Sequence, residues 1–129
     1  MLGGGSIIPY IRLSVTQELA PDKEQALVDG LGEAMKKIPG KDGSLLIVDV
    51  EGNKGLYFAG ERQENMVWAE IRYYSRYEYH HKKAFTVAVF ESIRKVLDTR
   101  DDRMCLTITE FTNWGALGDF KDQFYSDSN

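Results

Sequence analysis

The most informative stretch of the sequence is Pro9-Tyr10-Ile11-Arg12-Leu13-Ser14-Val15, which has the alternation of a half-buried β-strand. Its odd-numbered positions from Ile11 onward are apolar, and the positions between them are polar or amphipathic. Because proline lacks an N–H and cannot donate to a β-ladder, it is expected at the first position of a strand, where Pro9 stands. We therefore predict a first strand that begins at Pro9 and buries one face.

The remaining elements follow from hydrophobic periodicity and from turn residues. The predicted helices are 21–38 and 76–97, and the predicted strands are 45–51, 66–74 and 104–110, with a short extended piece at 56–59. Strand–helix–strand thus occurs twice, and Ile11-Arg12-Leu13 is echoed by Ile71-Arg72-Tyr73 about 60 residues later. We predict an α+β fold in which two βαβ units form a two-layer, four-stranded sheet with both helices on one face.

The other face of this sheet would carry charged and aromatic side chains together. Its predicted members are Tyr10, Arg12, Asp49, Glu51, Trp68, Glu70, Arg72, Tyr74, Thr107 and Thr109. Two interpretations remain open. The face is either solvated, as antiparallel sheets commonly are, or closed by other subunits around a wet interior.

Composition excludes several classes of function. The net charge of −4 argues against a general nucleic-acid or anionic-membrane surface, and no apolar run approaches the length of a membrane span. The lone cysteine, Cys105, excludes an internal disulfide and favours a reducing, cytoplasmic location. His80 and His81 are adjacent on a predicted helix and point in different directions, so no metal site is predicted.

Residues 1–8 precede the first strand, and Gly3-Gly4-Gly5-Ser6 among them has the composition of a flexible linker. They lack the cationic start and apolar run of a secretory signal. We predict a flexible leader over 1–8, either an expression remnant, a misplaced start or a genuine arm, followed by one domain over 9–129.

From Pro9 to about Phe120, the chain resembles the tautomerase superfamily, most closely its macrophage migration inhibitory factor branch. The features that carry the resemblance, in order, are Pro9, Pro21-Asp22, Gly40-Lys41, Phe58-Ala59-Gly60, Asp102-Arg103, Asn113-Trp114-Gly115 and Gly118-Asp119-Phe120. The resemblance implies a homotrimer with a pocket between subunits. It also implies keto–enol tautomerisation of α-keto acids such as phenylpyruvate, without a metal or cofactor.

Two residues match the catalytic pattern of that family. Pro9 matches its N-terminal proline, whose secondary amine is the base, and Lys41 matches a lysine that binds the substrate carboxylate. A base that moves a proton beside a carbonyl works best with a pKa near ambient pH. The simpler alternatives are that Pro9 only starts an edge strand and that Lys41 is a solvated turn residue.

The chain departs from the family pattern at four positions. Pro9 is preceded by Ile8, which makes its nitrogen a tertiary amide without a basic lone pair. Cys105 and Thr107 stand where the branch has a tyrosine and an asparagine, and Tyr74 stands where a smaller aliphatic residue is common. We therefore predict an altered pocket whose substrate-binding residues are Lys41, Tyr74, Cys105 and Thr107.

Three functional hypotheses follow. The first is a cofactor-independent tautomerase of small α-keto acids in which Pro9 is the base once it is the first residue. The second is a catalytically silent trimer of the same fold that acts as a binding or signalling protein. The third, an unrelated two-layer α/β binding module, would be favoured by a monomer in solution.

Overall fold

The computed structural model describes residues 8–127, which form two helices packed on one face of a sheet. In chain order the elements are β1 (Tyr10–Val15), α1 (Pro21–Met35), β2 (Ile47–Glu51), β3 (Tyr57–Phe58), β4 (Glu61–Arg62), β5 (Val67–Tyr74), α2 (Tyr79–Leu97), β6 (Met104–Phe111), β7 (Asn113–Ala116) and β8 (Asp119–Asp122). Of the predicted leader, all but Ile8 lies outside the described residues.

The main sheet has four strands in the order β2-β1-β5-β6. β1 runs parallel to β2 and β5 parallel to β6, while the central pair β1 and β5 is antiparallel. Each parallel pair is joined through a helix, so the sheet consists of two βαβ units related by a reversal of direction. The predicted α+β fold is confirmed.

The core lies between the sheet and the two helices. It is built by every second residue of the central strands, such as Ile11 and Leu13 of β1 and Ile71 of β5, all essentially inaccessible to solvent. Leu31 of α1 and Phe85 of α2 cover them. Full burial of one such side chain is worth about 1.5–3 kcal/mol, so this shared face supplies most of the driving force for folding.

The opposite sheet face carries the predicted mixture of aromatic and charged residues. The Tyr10 hydroxyl donates a hydrogen bond of 2.6 Å to the Asp49 carboxylate, and Arg12 pairs with Glu51 at 3.2 Å. Both contacts are exposed in the single chain, where such pairs add little stability.

Both helices differ from prediction at one end. α1 stops at Met35 instead of Ile38, because the next three N–H groups bond to carbonyls three residues back, which tightens the last turn. Ile38 nevertheless stays fully buried. α2 begins at Tyr79 instead of Arg76, because the N–H groups of Ser75 and Tyr77 are bound by β6, to the Phe111 carbonyl and the Glu110 carboxylate respectively.

The segment after β6 folds back on itself. It forms a β-hairpin, β7–β8, turned by Leu117 and Gly118, both in the left-handed region of backbone conformation. Leucine is uncommon at positive φ, which explains why the turn was not predicted.

Candidate functional site

Pro9 directly precedes β1, which begins one residue later than predicted, and it lies on the helix-covered side of the sheet. It is buried, and its carbonyl accepts a hydrogen bond of 3.0 Å from the N–H of Ile47 in β2. Tyr10 pairs with Arg72 in the antiparallel ladder, so one step further places Pro9 across from Tyr73. In the chain described here the nitrogen of Pro9 is an amide nitrogen bonded to Ile8.

Lys41 lies at the same end of the sheet. It follows α1 through a turn in which its N–H bonds to the Ile38 carbonyl at 3.1 Å and Gly40 adopts positive φ. Its side chain runs over two aromatic rings: Nζ lies 5.5 Å from the Tyr73 ring centre and 5.2 Å from that of Tyr77. Such geometry is a cation–π contact.

The Lys41 ammonium is an unusual buried cation. The residue is only 8% exposed, and among residues 8–127 no carboxylate forms an ion pair with it. Burial lowers the pKa of Lys41, because removal from water penalises the charged form. Because buried charges are normally paired, a buried cation without an acidic partner can bind an anionic ligand as its counter-ion.

Glu110 completes this cluster and is not among the site residues predicted from the sequence. Its carboxylate accepts hydrogen bonds from the Tyr73 hydroxyl at 2.9 Å, the Tyr77 N–H at 2.9 Å and the Lys82 ammonium at 3.2 Å. Burial on its own would raise the pKa of Glu110, but these three donors outweigh it and hold the pKa below the usual value. The alternation of β6 could have identified Glu110, because it places this acidic residue on the same, core-facing side as Leu106 and Ile108.

Three of the predicted substrate-binding residues lie elsewhere in the single chain. Tyr74, Cys105 and Thr107 belong to the sheet face that the helices leave open, opposite to the face of Pro9 and Lys41. Thr107 is level with Arg12 and Cys105 with Ser14. At the rise of a strand, these positions are roughly 10 and 17 Å from the level of Pro9. One chain therefore does not bring Cys105 or Thr107 to Pro9, whereas Tyr74 is one register step from the level of Pro9, on the opposite face of the sheet.

An apolar groove lies on the open face next to Pro9. Its volume is about 440 Å³ and its lining includes Ile8, Tyr10 and Ile47 from the strand starts and Phe111 and Trp114 from the chain after β5. Ile47 is 52% exposed in the single chain. The groove is an apolar region of the open face, which elsewhere carries charged and aromatic side chains.

Within residues 8–127, no cluster of three or more His, Cys, Asp or Glu side chains could hold a metal ion. The prediction that His80 and His81 point in different directions is wrong, because their rings lie 3.9 Å apart between centres, tilted by 42°, at the start of α2. Over the same range of residues, neither helix is long and apolar enough to cross a membrane.

The fold places the chain in a known structural class. No protein-family model matches the chain, and no curated protein sequence matches it significantly. Solved structures of the tautomerase superfamily do match, and the chain has the tautomerase fold that the sequence predicted.

Three of these structures illustrate the likeness. Leishmania major MIF2 has a TM-score of 0.79 at 16% identity and covers 88% of this chain and 97% of its own. A fused 4-OT, described as an asymmetric trimer, has a TM-score of 0.76 at 17% identity and covers 85% and 94%. N1, a member of the cis-3-chloroacrylic acid dehalogenase family, has a TM-score of 0.70 at 18% identity and covers 79% and 74%. At these identities the likeness is one of fold.

Proposed function

We propose that this protein is a cofactor-independent keto–enol tautomerase of small, phenylpyruvate-like α-keto acids, active when Pro9 is the first residue. The observation that carries the proposal is Lys41, a buried cation without an acidic partner in residues 8–127, at the sheet end where Pro9 precedes β1. An anionic substrate supplies the missing counter-charge. The likeness to tautomerase-fold structures supports the same activity.

The proposed mechanism needs one base and one cation. The Pro9 amine removes a proton from the carbon beside the keto group, and the carbon–carbon double bond of the enol forms as the carbonyl electrons move to oxygen. Pro9 then returns the proton to that oxygen. Lys41 binds the carboxylate. Its charge and the apolar surroundings disfavour the ammonium form of Pro9 and so lower the pKa of the amine, which is then unprotonated and able to accept a proton near neutral pH.

We also propose that the working protein is a homotrimer. The 4-OT structures of this fold are described as trimers, and the apolar groove beside Ile47 offers a surface for a second copy. In a trimer, Tyr74, Cys105 and Thr107 would reach the Pro9 pocket of a neighbouring subunit. Light scattering should give three times the chain mass of 14.7 kDa; a monomer would contradict this proposal and favour the unrelated binding module.

A second candidate is a silent binding protein of the same fold. The bond between Ile8 and Pro9 favours it, because an acylated nitrogen cannot act as a base. For either function we propose a cytoplasmic location, since the lone Cys105 suits a reducing compartment.

The two candidates are separated by an activity comparison. Ketonisation of phenylpyruvate enol is followed by absorbance for a chain that starts at Pro9, its Pro9→Ala variant and the full chain. The enzyme proposal predicts activity in the first alone. It is wrong if Pro9→Ala retains the full rate, or if all three proteins are inactive although they fold and form trimers.

A further inference from the structure

The carboxylate of Glu110 forms hydrogen bonds with three separate segments of the chain. It projects from β6 and bonds to the Tyr73 hydroxyl on β5, to the Tyr77 N–H in the segment before α2 and to the Lys82 ammonium on α2. The Glu110 side chain is only 15% exposed. Hydrogen bonds to an ionised carboxylate are roughly twice as strong as those between neutral groups, so they hold their donors in place.

Two of these three donors belong to the residues that flank Lys41. The Tyr73 and Tyr77 rings meet edge to face, with centres 5.5 Å apart and planes at 77°. The Lys41 ammonium lies within 5.5 Å of both ring centres. Glu110 therefore fixes the Tyr73 ring through its hydroxyl and the Tyr77 residue through its backbone N–H, and it forms no ion pair with Lys41 among the described residues.

The charges in this cluster are divided in a way that suits ligand binding. Glu110 has Lys82 as its counter-ion at 3.2 Å. Lys41 has two neutral rings as neighbours and, among the described residues, no acidic partner. A carboxylate paired directly with Lys41 would compete with an incoming anion, whereas Glu110 orders the site without occupying it.

We propose that Glu110 is the positioning residue of the Lys41 site: it anchors the Tyr73 hydroxyl and the backbone at Tyr77, and so holds the Lys41 ammonium where it can bind an anionic ligand. This inference rests on the proposed role of Lys41 as the cation that binds a carboxylate. It adds a second group, remote from the reacting atoms, on which that role depends.

The test measures Lys41 itself. Lysine labelled with ¹³C at Cε is titrated by NMR, and the Lys41 signal is assigned as the one that Lys41→Met removes. In the wild type its pKa should lie below the ordinary value. In Glu110→Ala the Tyr73 hydroxyl and the Tyr77 N–H lose their acceptor and water reaches the ammonium, so the pKa of Lys41 should rise towards the ordinary value and phenylpyruvate affinity should fall roughly tenfold.

Two further variants separate positioning from stability. Glu110→Gln keeps the side-chain shape and one carbonyl oxygen for the tyrosines, so the Lys41 pKa should stay low and affinity should fall by roughly threefold or less. Asp101→Asn, which removes an exposed carboxylate from its pair with Arg94, should change neither quantity. If Glu110→Ala proves unfolded, Tyr73→Phe releases one ring and should shift the pKa in the same direction by less.

The inference is overturned if Glu110→Ala folds and its Lys41 pKa and phenylpyruvate affinity are the same as in the control variant Asp101→Asn. A lower unfolding temperature of Glu110→Ala would not rescue the inference, because it would show a role in stability alone. It is also overturned if Tyr73→Phe, used in its place, leaves both unchanged. The pKa measurement needs neither a ligand nor a free Pro9. Failure of the wild type to bind phenylpyruvate would therefore refute the proposed function separately.

Discussion

The Tyr73 hydroxyl donates a hydrogen bond of 2.9 Å to Glu110, its register partner on the neighbouring strand. This pair lies at the sheet end where Pro9 and Lys41 also lie, on the face that the helices cover. Burial and the adjacent carboxylate together raise the pKa of Tyr73, since both disfavour the phenolate. The site and the stability of the fold are therefore linked through the same two side chains.

The first prediction concerns Tyr73→Phe and alkaline stability. At pH 7 the variant loses a hydrogen bond to a charged group, which should lower the free energy of unfolding by about 1.5–3 kcal/mol. Above pH 10 the unfolded wild type releases the Tyr73 proton while the folded state retains it, so wild-type stability falls as pH rises. In Tyr73→Phe the free energy of unfolding should fall less steeply above pH 10, because the variant has no hydroxyl at this position to titrate.

Urea unfolding at pH 7 and at several values above pH 10 measures both effects. Tyr57→Phe is the matched control, because Tyr57 is 63% exposed and its loss should leave stability nearly unchanged. Equal stability of Tyr73→Phe and wild type at pH 7, with the same alkaline slope, would show that the bond to Glu110 contributes nothing.

The second prediction concerns Lys41→Met, which keeps an apolar stem and removes the buried charge. Phenylpyruvate affinity should fall at least roughly tenfold, because the ligand carboxylate loses its cation. Stability at pH 7 should stay equal or increase, since a buried ammonium without an acidic partner is costly. Isothermal titration calorimetry and thermal unfolding measure the two quantities.

The pH dependence of this effect has a defined sign. With the folded pKa of Lys41 lowered by burial, the unfolded chain binds more protons between that pKa and about 10.4, so wild-type stability gains as pH rises through this window. Lys41→Met should lack the gain, whereas Lys37→Met, at an exposed position, should retain it. A Lys41→Met protein that binds phenylpyruvate like the wild type would remove the main support for the proposed function.

The third prediction tests the packing of the two helices. A methyl group at Gly30 would overlap the Ser92 Oγ atom on α2 and lie 2.9 Å from the Ser92 Cβ atom, whereas one at Gly32 would meet its nearest neighbour, the Gly43 Cα atom, at 3.5 Å. Gly30→Ala should therefore destabilise by about 1–3 kcal/mol through overpacking. Gly32→Ala should stabilise by about 0.5–1 kcal/mol through helix propensity.

Denaturant unfolding of both variants checks this prediction. Gly30→Ala should cost less in a Ser92→Gly background than in the wild type, because the glycine relieves the contact, although Ser92→Gly itself weakens α2. Equal stability of Gly30→Ala and Gly32→Ala would mean that the helices have room to separate.

The sequence contained enough information for the sheet and its two faces. Alternation in the stretch after Pro9 and in 66–74 identified the buried sides, and the repeated strand–helix–strand order gave the architecture. These features are local, with a period of two residues in strands and 3.6 in helices, so they are visible without tertiary information.

The Lys41 cluster could be predicted only in part. Lys41 was found through the family resemblance, but its two ring neighbours depend on contacts between segments more than 30 residues apart. Glu110 stood at a core-facing position of a predicted strand, and an acidic residue there requires buried donors. Which donors those are, including the Tyr77 N–H that shortens α2, follows from the folded chain alone.

The most direct measurement of the central claim changes only the Pro9 nitrogen. A chain that starts at Pro9 is prepared in two forms, with the amine free and with the amine acetylated, and both are assayed with phenylpyruvate enol. Acetylation turns the amine into an amide and leaves the rest of the pocket unchanged. The account predicts activity in the free form and its loss on acetylation. Equal rates in the two forms would show that the Pro9 nitrogen is not the base.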